Sequence, residues 1–188
     1  MRKEEIKVLL GVTGSIAAYK AVELVRLMIE KSWQVKVVMT YSATKFVGKT
    51  TFQTLSRNPV AIEMFPETDE WRPHHVSLGE WADIIVIAPC TANVIAKLAH
   101  GMADDLLSCS VLASSAPLVI APAMNEKMWK HPATQSNVSL LISRGATIIT
   151  PEVGELACGT GGPGRLASLE TIMATIHSVY MKTKEQKK

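Results

Sequence analysis

The stretch 6–20, Ile-Lys-Val-Leu-Leu-Gly-Val-Thr-Gly-Ser-Ile-Ala-Ala-Tyr-Lys, restricts the fold more than any other part of the chain. Val8, Leu9 and Leu10 form a short apolar run suited to a strand covered on both faces, and Ala17, Ala18, Ala21, Val22, Leu24 and Val25 continue at helical spacing. Strand, tight turn and helix in that order predict the first unit of a nucleotide-binding sheet. Gly11 and Gly14 permit a sharp turn. The amides of Gly14, Ser15 and Ile16 at the helix start, with the hydroxyls of Thr13 and Ser15, suit a phosphate. The competing reading is a plain strand-to-helix connection.

The turn is neither Gly-x-Gly-x-x-Gly nor Gly-x-x-x-x-Gly-Lys-Ser/Thr, so the dinucleotide fingerprint and the Walker loop are both absent. A second strand over 34–40 would end in an acid if it gripped an NAD ribose. It ends instead in Met39-Thr40-Tyr41-Ser42-Ala43-Thr44, where the hydroxyls of Thr40 and Ser42 suit a second wall around one phosphate. A mononucleotide such as FMN therefore fits the residues better than NAD.

The rest of the chain repeats the pattern. Residues 83–89 and 117–121 read as buried strands and 146–150 as a further one. Helices are expected from the residues after Asn93 through Ala99, and over 103–113, 131–143 and 169–181. Asp104 and Asp105 are expected in a first helical turn, and Gly145 as a helix stop. The segment 43–57 predicts one or two short helices carrying Phe46, Val47, Phe52 and Leu55 inward, and 58–79 a long irregular segment. Alternating strands and helices predict an α/β fold, a single-domain three-layer α/β/α structure with a doubly wound parallel sheet. Residues 1–181 are expected to form this domain and 182–188 a basic tail.

At 188 residues and 47% hydrophobic content, one domain with a substantial core is expected. The net charge of +3 comes from the tail, whose four lysines and one glutamate, once removed, leave acidic and basic residues in balance. No nucleic-acid footprint follows from it. No apolar run is long enough to span a bilayer, and Met1-Arg-Lys-Glu-Glu has no signal-peptide core, so no membrane partner and a cytoplasmic location are expected. Cys90, Cys109 and Cys158 lack Cys-x-x-Cys spacing, which argues against a disulfide framework or a zinc site.

Three residues stand out as candidates for chemistry. His75 can accept a proton near neutral pH, or serve as a hydrogen-bonded structural residue. Asn125 follows a strand end and can hold a carboxylate without neutralising it, or cap the next helix. Cys158 precedes Gly159-Thr-Gly-Gly-Pro-Gly164, a stretch too poor in side chains to build a core: a lid, backbone pressed against a ligand, or a disordered connection. Cys90, at a strand end, reads as a packing residue, and Cys109 lies within a helical apolar pattern.

Several stretches together match one pattern. They are Gly11-Val-Thr-Gly-Ser-Ile-Ala-Ala-Tyr-Lys20, His75-Val-Ser-Leu with Trp81-Ala-Asp, Ala88-Pro-Cys-Thr-Ala-Asn-Val-Ile-Ala-Lys-Leu98, Pro122-Ala-Met-Asn-Glu-Lys-Met-Trp129 and Ala157-Cys-Gly-Thr-Gly-Gly-Pro-Gly-Arg-Leu166. On these the chain resembles the homo-oligomeric flavin-containing cysteine decarboxylases over about its first 180 residues. The resemblance implies a Rossmann-like flavoprotein fold with FMN at the carboxyl edge of the sheet. It places the FMN phosphate at Gly14, Ser15, Ile16 and the Thr40/Ser42 turn, with Thr91, Ala92, Asn93 and Ala123 lining the rest. It puts the family's catalytic histidine on His75, its substrate-carboxylate asparagine on Asn125 beside Met124, and its lid cysteine on Cys158. His74 has no such match. It also implies a homo-oligomer, a trimer or a dodecamer of trimers, with the site between subunits.

The activity so implied is decarboxylation of 4'-phosphopantothenoylcysteine to 4'-phosphopantetheine in coenzyme A biosynthesis. A cysteine-derived carboxylate has no electron sink until its thiol is oxidised to a thioaldehyde, for which the resemblance implies FMN as the two-electron acceptor; CO2 then leaves an enethiolate, to which the reduced flavin returns a hydride and Cys158 supplies a proton. Relatives in the wider group decarboxylate a peptide C-terminal cysteine, transfer prenyl groups to flavin, or act as non-catalytic regulatory subunits. The His75, Asn125 and Cys158 set weighs against prenyl transfer, and the short tail weighs against the regulatory role. In bacteria such a domain is often the first half of a protein fused to a synthetase.

Overall fold

The computed structural model describes residues 5–65, 71–155, 159 and 161–186. Its centre is a six-stranded parallel sheet of β1 (Lys7–Val12), β2 (Gln34–Met39), β3 (Val60–Ala61), β4 (Ile84–Cys90), β5 (Leu118–Pro122) and β6 (Thr147–Ile148), in the order β3-β2-β1-β4-β5-β6. Strand order reverses between β1 and β4, the place where open α/β sheets leave a crevice at their carboxyl ends.

Both faces of the sheet are covered, and the alternation of strand side chains divides the core in two. On one side Val8, Leu10, Val12, Ile84, Val86 and Ala88 pack with α1 (Ala18–Glu30), α2 (Lys49–Ser56) and α8 (Leu169–Gln186). On the other, Leu9, Ile85, Ile87 and Ile120 meet α3 (His74–Trp81), α4 (Ala92–Ala99), α5 (Leu106–Leu112) and α7 (Pro132–Ser143). The three-layer, doubly wound arrangement expected from the sequence is present. Helix α1 is held by packing: Ala18, Ala21, Leu24, Val25 and Met28 form its buried stripe, and no side chain caps its start.

The local departures from expectation have physical causes. The segment 58–79 contains β3 and α3, both too short or too weakly amphipathic to give a periodic signal. Phe52 is fully buried as expected, but Phe46 follows a 3₁₀ turn over Tyr41–Lys45 and is 47% exposed. Asp105 is the N-cap of α5 rather than a first-turn residue, and its carboxylate and Ser108 form a reciprocal capping box. Helix α8 runs on through Gln186, so most of the expected tail continues a helix.

The glycine-rich segment after β6 is a β-hairpin. β7 (Glu152–Glu155) pairs antiparallel with β8 (Gly161–Arg165). Ser168, just before α8, donates its amide to Glu152 Oε1 at 2.7 Å and ties the hairpin base to the body. The five-residue helix α6 (Glu126–Lys130) follows β5 and faces β8.

Candidate active site

Four backbone turns meet at the carboxyl edge of the sheet around a cleft of about 770 Å³. Gly14, Ser15, Ile16 and Ala17 come from the turn after β1, Thr91 and Ala92 from the turn after β4, and Ala123, Met124 and Asn125 from the turn after β5. Gly159, Gly164, Arg165 and Leu166 of the hairpin segment close the fourth side, with Glu155. The cleft sits at the β1/β4 switch point.

Thr13 holds that switch point together. Its hydroxyl donates to the Pro89 carbonyl at 2.8 Å and accepts from the Thr91 amide at 3.0 Å, and the residue is fully buried. The hydroxyl is thus spent inside the protein, and the expectation that it meets a phosphate is corrected. The Ser15 amide is also committed, donating to the Thr13 carbonyl at 2.8 Å. The amides of Gly14 and Ile16 have no acceptor among the described residues. Ser15 Oγ accepts from the Ala17 amide at 3.3 Å, which leaves its proton for a ligand.

The second wall is thinner than expected. Thr40 Oγ1 caps the 3₁₀ turn by accepting from the Ala43 amide at 3.3 Å, and it does not line the cleft. Ser42 stands against Gly14: a methyl group on Gly14 would overlap Ser42 Cβ and lie 3.2 Å from its carbonyl carbon. Thr91 caps α4 by accepting from the Val94 amide at 3.4 Å, and Ala92 opens the first turn toward the cleft. Asn93, one position on, is exposed and outside the cleft lining. Its side chain leaves α4 about 100° around the helix axis from that of Ala92.

Asn125 is the N-cap of α6, with Oδ1 accepting from the Lys127 amide at 2.9 Å. The capping bond fixes the orientation of the side-chain amide, with Oδ1 turned to the helix start. The turn itself is pinned from the hairpin, since the Met124 amide donates to the Gly164 carbonyl at 3.0 Å.

The structure does not bring His75 into this cleft. His75 is in the first turn of α3 and lines a second cleft, of about 870 Å³, with Lys36, Met64, Trp71, Arg72 and Pro73 beside β2 and β3. Cys158 lies outside the described residues. Cys90 is buried, and burial pushes its thiol pKa well up, so it is a packing residue. Among the described residues, no His/Cys/Asp/Glu cluster suits a metal, and no helix is long and apolar enough to cross a membrane.

Sequence reasoning missed Tyr19, Lys20 and Met128, which also line the first cleft. All three were legible from spacing: Tyr19 and Lys20 lie three and four residues after Ile16, and Met128 three after Asn125. Glu155 and Arg165 were not, because their placement depends on the hairpin.

Comparison with known proteins fits this geometry. The family model described as Flavoprotein matches residues 1–181. The chain is 46% identical over 174 residues to the coenzyme A biosynthesis bifunctional protein CoaBC of Vibrio cholerae, covering 93% of this chain and 44% of that protein. It is 48% identical over 166 residues to the protein of the same name from Bacillus subtilis, covering 88% and 41%. The chain thus spans less than half the length of these curated relatives. Among solved structures, a PPC decarboxylase mutant complexed with pantothenoylaminoethenethiol superposes with a TM-score of 0.82 at 32% identity, covering 95% of this chain and all of that one. The FMN-dependent cysteine decarboxylase SpaF does so with a TM-score of 0.81 at 32% identity, covering 94% and 96%. With the switch-point cleft, the sheet order and these matches in agreement over nearly its whole length, the chain belongs to the flavoprotein family.

Proposed function

We propose that this chain catalyses the FMN-dependent decarboxylation of 4'-phosphopantothenoylcysteine to 4'-phosphopantetheine and CO2, a step of coenzyme A biosynthesis in the cytoplasm, and that residues 1–181 are the unit that does so. The observation that carries the reading is the cleft that places Asn125 beside the β1 turn, in a chain nearly half identical to CoaBC proteins along most of its length.

The residues present fit FMN. A phosphate at the β1 turn would take hydrogen bonds from the Gly14 and Ile16 amides and the Ser15 hydroxyl, with the Ser42 hydroxyl and the Lys20 ammonium nearby. Thr91, Ala92 and Ala123 offer small, uncharged walls for the remainder. Asn93 is exposed and takes no part in this assignment. When bound, FMN supplies a two-electron acceptor and donor, which a cysteine-derived carboxylate needs before its carbon–carbon bond can break.

Asn125, with Met124 beside it, holds the substrate carboxylate through Nδ2. A neutral donor orients the carboxylate without the ground-state stabilisation that a cation would add. His75 takes the thiol proton, and Cys158 returns a proton to carbon at the end. The active unit in this proposal is a homo-oligomer, a trimer or an assembly of trimers, in which one copy supplies His75 to another; the placement of His75 and Asn125 in different clefts of one chain supports a site shared between copies.

The test uses the purified chain with bound FMN. Addition of 4'-phosphopantothenoylcysteine should release CO2 and give 4'-phosphopantetheine, and Cys158→Ser should accumulate the oxidised, decarboxylated intermediate. His75→Asn and Asn125→Asp should each be inactive alone and regain activity when co-assembled. Turnover of a peptide ending in cysteine in place of the pantothenoyl substrate would replace this reading with peptide decarboxylation.

A further inference from the structure

The substrate just proposed carries two anions, a carboxylate at the reacting end and a phosphate at the other, yet Asn125 and the β1 turn account for one carboxylate and one cofactor phosphate. We infer that Arg165 is the specificity-determining residue that holds the substrate's phosphate, an inference that rests on the proposed reaction.

Among the described residues lining the cleft the cations are Lys20 and Arg165. Lys20 lies on α1 one turn beyond Ile16, beside the amides assigned to the cofactor phosphate. Arg165 stands on the opposite wall, at the end of β8. Its side chain lies across β7: a methyl group on Gly154 would sit 3.4 Å from a guanidinium nitrogen and 3.5 Å from Cδ. The absence of a side chain at Gly154 gives the guanidinium a flat bed on the ribbon. No described carboxylate forms an ion pair with Arg165. The two acids of β7 are engaged or set apart along the ribbon: Glu152, the cross-strand partner of Arg165, accepts from the Ser168 amide, and Glu155, which also lines the cleft, pairs with Gly161 at the other end of the hairpin.

Strand alternation decides which of the two anions Arg165 meets. Methyl groups on Gly162 and Gly164 would overlap Glu126 and Met124, so that face of β8 is turned to the carboxylate-binding turn. Arg165 is on the other face, over Gly154. A cation at the reacting carboxylate would stabilise the ground state and oppose loss of CO2, whereas a cation at the distal phosphate adds binding without touching the chemistry. A planar guanidinium with a fixed fork of donors matches two phosphate oxygens at once, and a dianion gains more from it than a neutral hydroxyl does.

The experiment compares 4'-phosphopantothenoylcysteine with pantothenoylcysteine, which lacks only the phosphate, on the FMN-loaded wild type, Arg165→Met and Arg165→Lys. The expected result is a fall of ~10- to 100-fold in kcat/KM for the phosphorylated substrate in Arg165→Met, carried by KM, with less than about a twofold change for the other. Arg165→Lys should recover part of the loss, and FMN content should stay at the wild-type level in both variants. Equal losses on both substrates would make Arg165 a structural member of the hairpin and overturn the inference. Loss of bound FMN would assign Arg165 to the cofactor phosphate and overturn it too, as would an unchanged substrate preference. All three results leave the proposed reaction standing. Failure of the wild type to turn over the phosphorylated substrate would remove that reaction, and this inference with it.

Discussion

Two glycine-rich segments border the same cleft and use their glycines in opposite ways. After β1, Gly14 brings the backbone against the side chain of Ser42, while the amides of Gly14 and Ile16 keep no internal acceptor among the described residues. In β8, Gly164 has φ +146 and Gly162 φ +157, and their missing side chains make room for the Met124 carbonyl and the Glu126 carboxylate. The first segment leaves backbone polar groups without an internal partner among the described residues, and the second uses them on the protein: the Gly164 carbonyl takes the Met124 amide at 3.0 Å. A run of glycines signals that something lies close to the backbone. What lies close is set by the element opposite.

The largest effect that could break this contrast is expected at Gly164. An alanine there needs a positive φ that L side chains rarely adopt, and its methyl group overlaps a carbonyl oxygen that cannot move without the turn bearing Asn125. Gly164→Ala should lose about 3 kcal/mol of stability by urea denaturation, from strain and overpacking together. Substrate KM should rise as the Asn125 turn shifts. A wild-type urea midpoint would mean that the hairpin is not clamped to α6.

Gly14→Ala should act on the cofactor more than on the fold. The new methyl group meets Ser42 Cβ, part of the wall beside the Gly14 and Ile16 amides, and forces the turn to open. FMN affinity measured by fluorescence titration should fall by roughly tenfold, equivalent to about 1.4 kcal/mol. Removing the obstructing Cβ in the Gly14→Ala/Ser42→Gly double variant should recover part of it, as coupling between residues in contact requires. Equal FMN affinity in wild type and single variant would show that the turn does not carry the phosphate.

The same contrast explains what was legible in the sequence. The sheet could be read because β1, β4 and β5 are buried on both faces and must be apolar throughout. The first cleft could be read because its walls are strand ends, which the sheet lines up for free. Thr13 was misread because a hydroxyl near a phosphate turn looks alike whether it serves a ligand or the Pro89 carbonyl and Thr91 amide, 76 and 78 residues away. β8 was missed because Gly-Gly-Pro-Gly-Arg has no strand propensity; it is a strand only because α6 and β7 leave room for nothing bulkier. The separation of His75 from Asn125 follows from strand order, which spacing along the chain does not encode.

The smallest effect calibrates the other two, because it lies where no glycine is involved. Lys97 of α4 reaches Asp104 and Asp105 before α5, at 2.8 Å from an oxygen of each. Burial alone would raise the Asp105 pKa. The hydrogen bond from Lys97, those from the Ser108 amide and hydroxyl, and the Lys97 charge outweigh it and hold the carboxyl below its usual range. Burial would likewise lower Lys97, but its hydrogen bonds to Asp104 and Asp105 and their charges hold it above its usual range. A depressed carboxyl contributes stability that is present above its unfolded value, about 4, and lost as pH falls through the folded value. A raised lysine contributes stability present below about 10.4 and lost as pH rises through its folded value. Asparagine caps a helix as well as aspartate does, so Asp105→Asn isolates the ion pair from the capping box. It should cost ~0.5 to 1 kcal/mol at pH 7, a typical figure for a partly exposed pair, with the difference from wild type shrinking toward zero as the pH is taken below about 4. A deficit that persists at acid pH would move the contribution from the charge on Asp105 to its cap geometry, and the α4–α5 contact would then resemble the β8 clamp, where shape rather than charge holds two elements together.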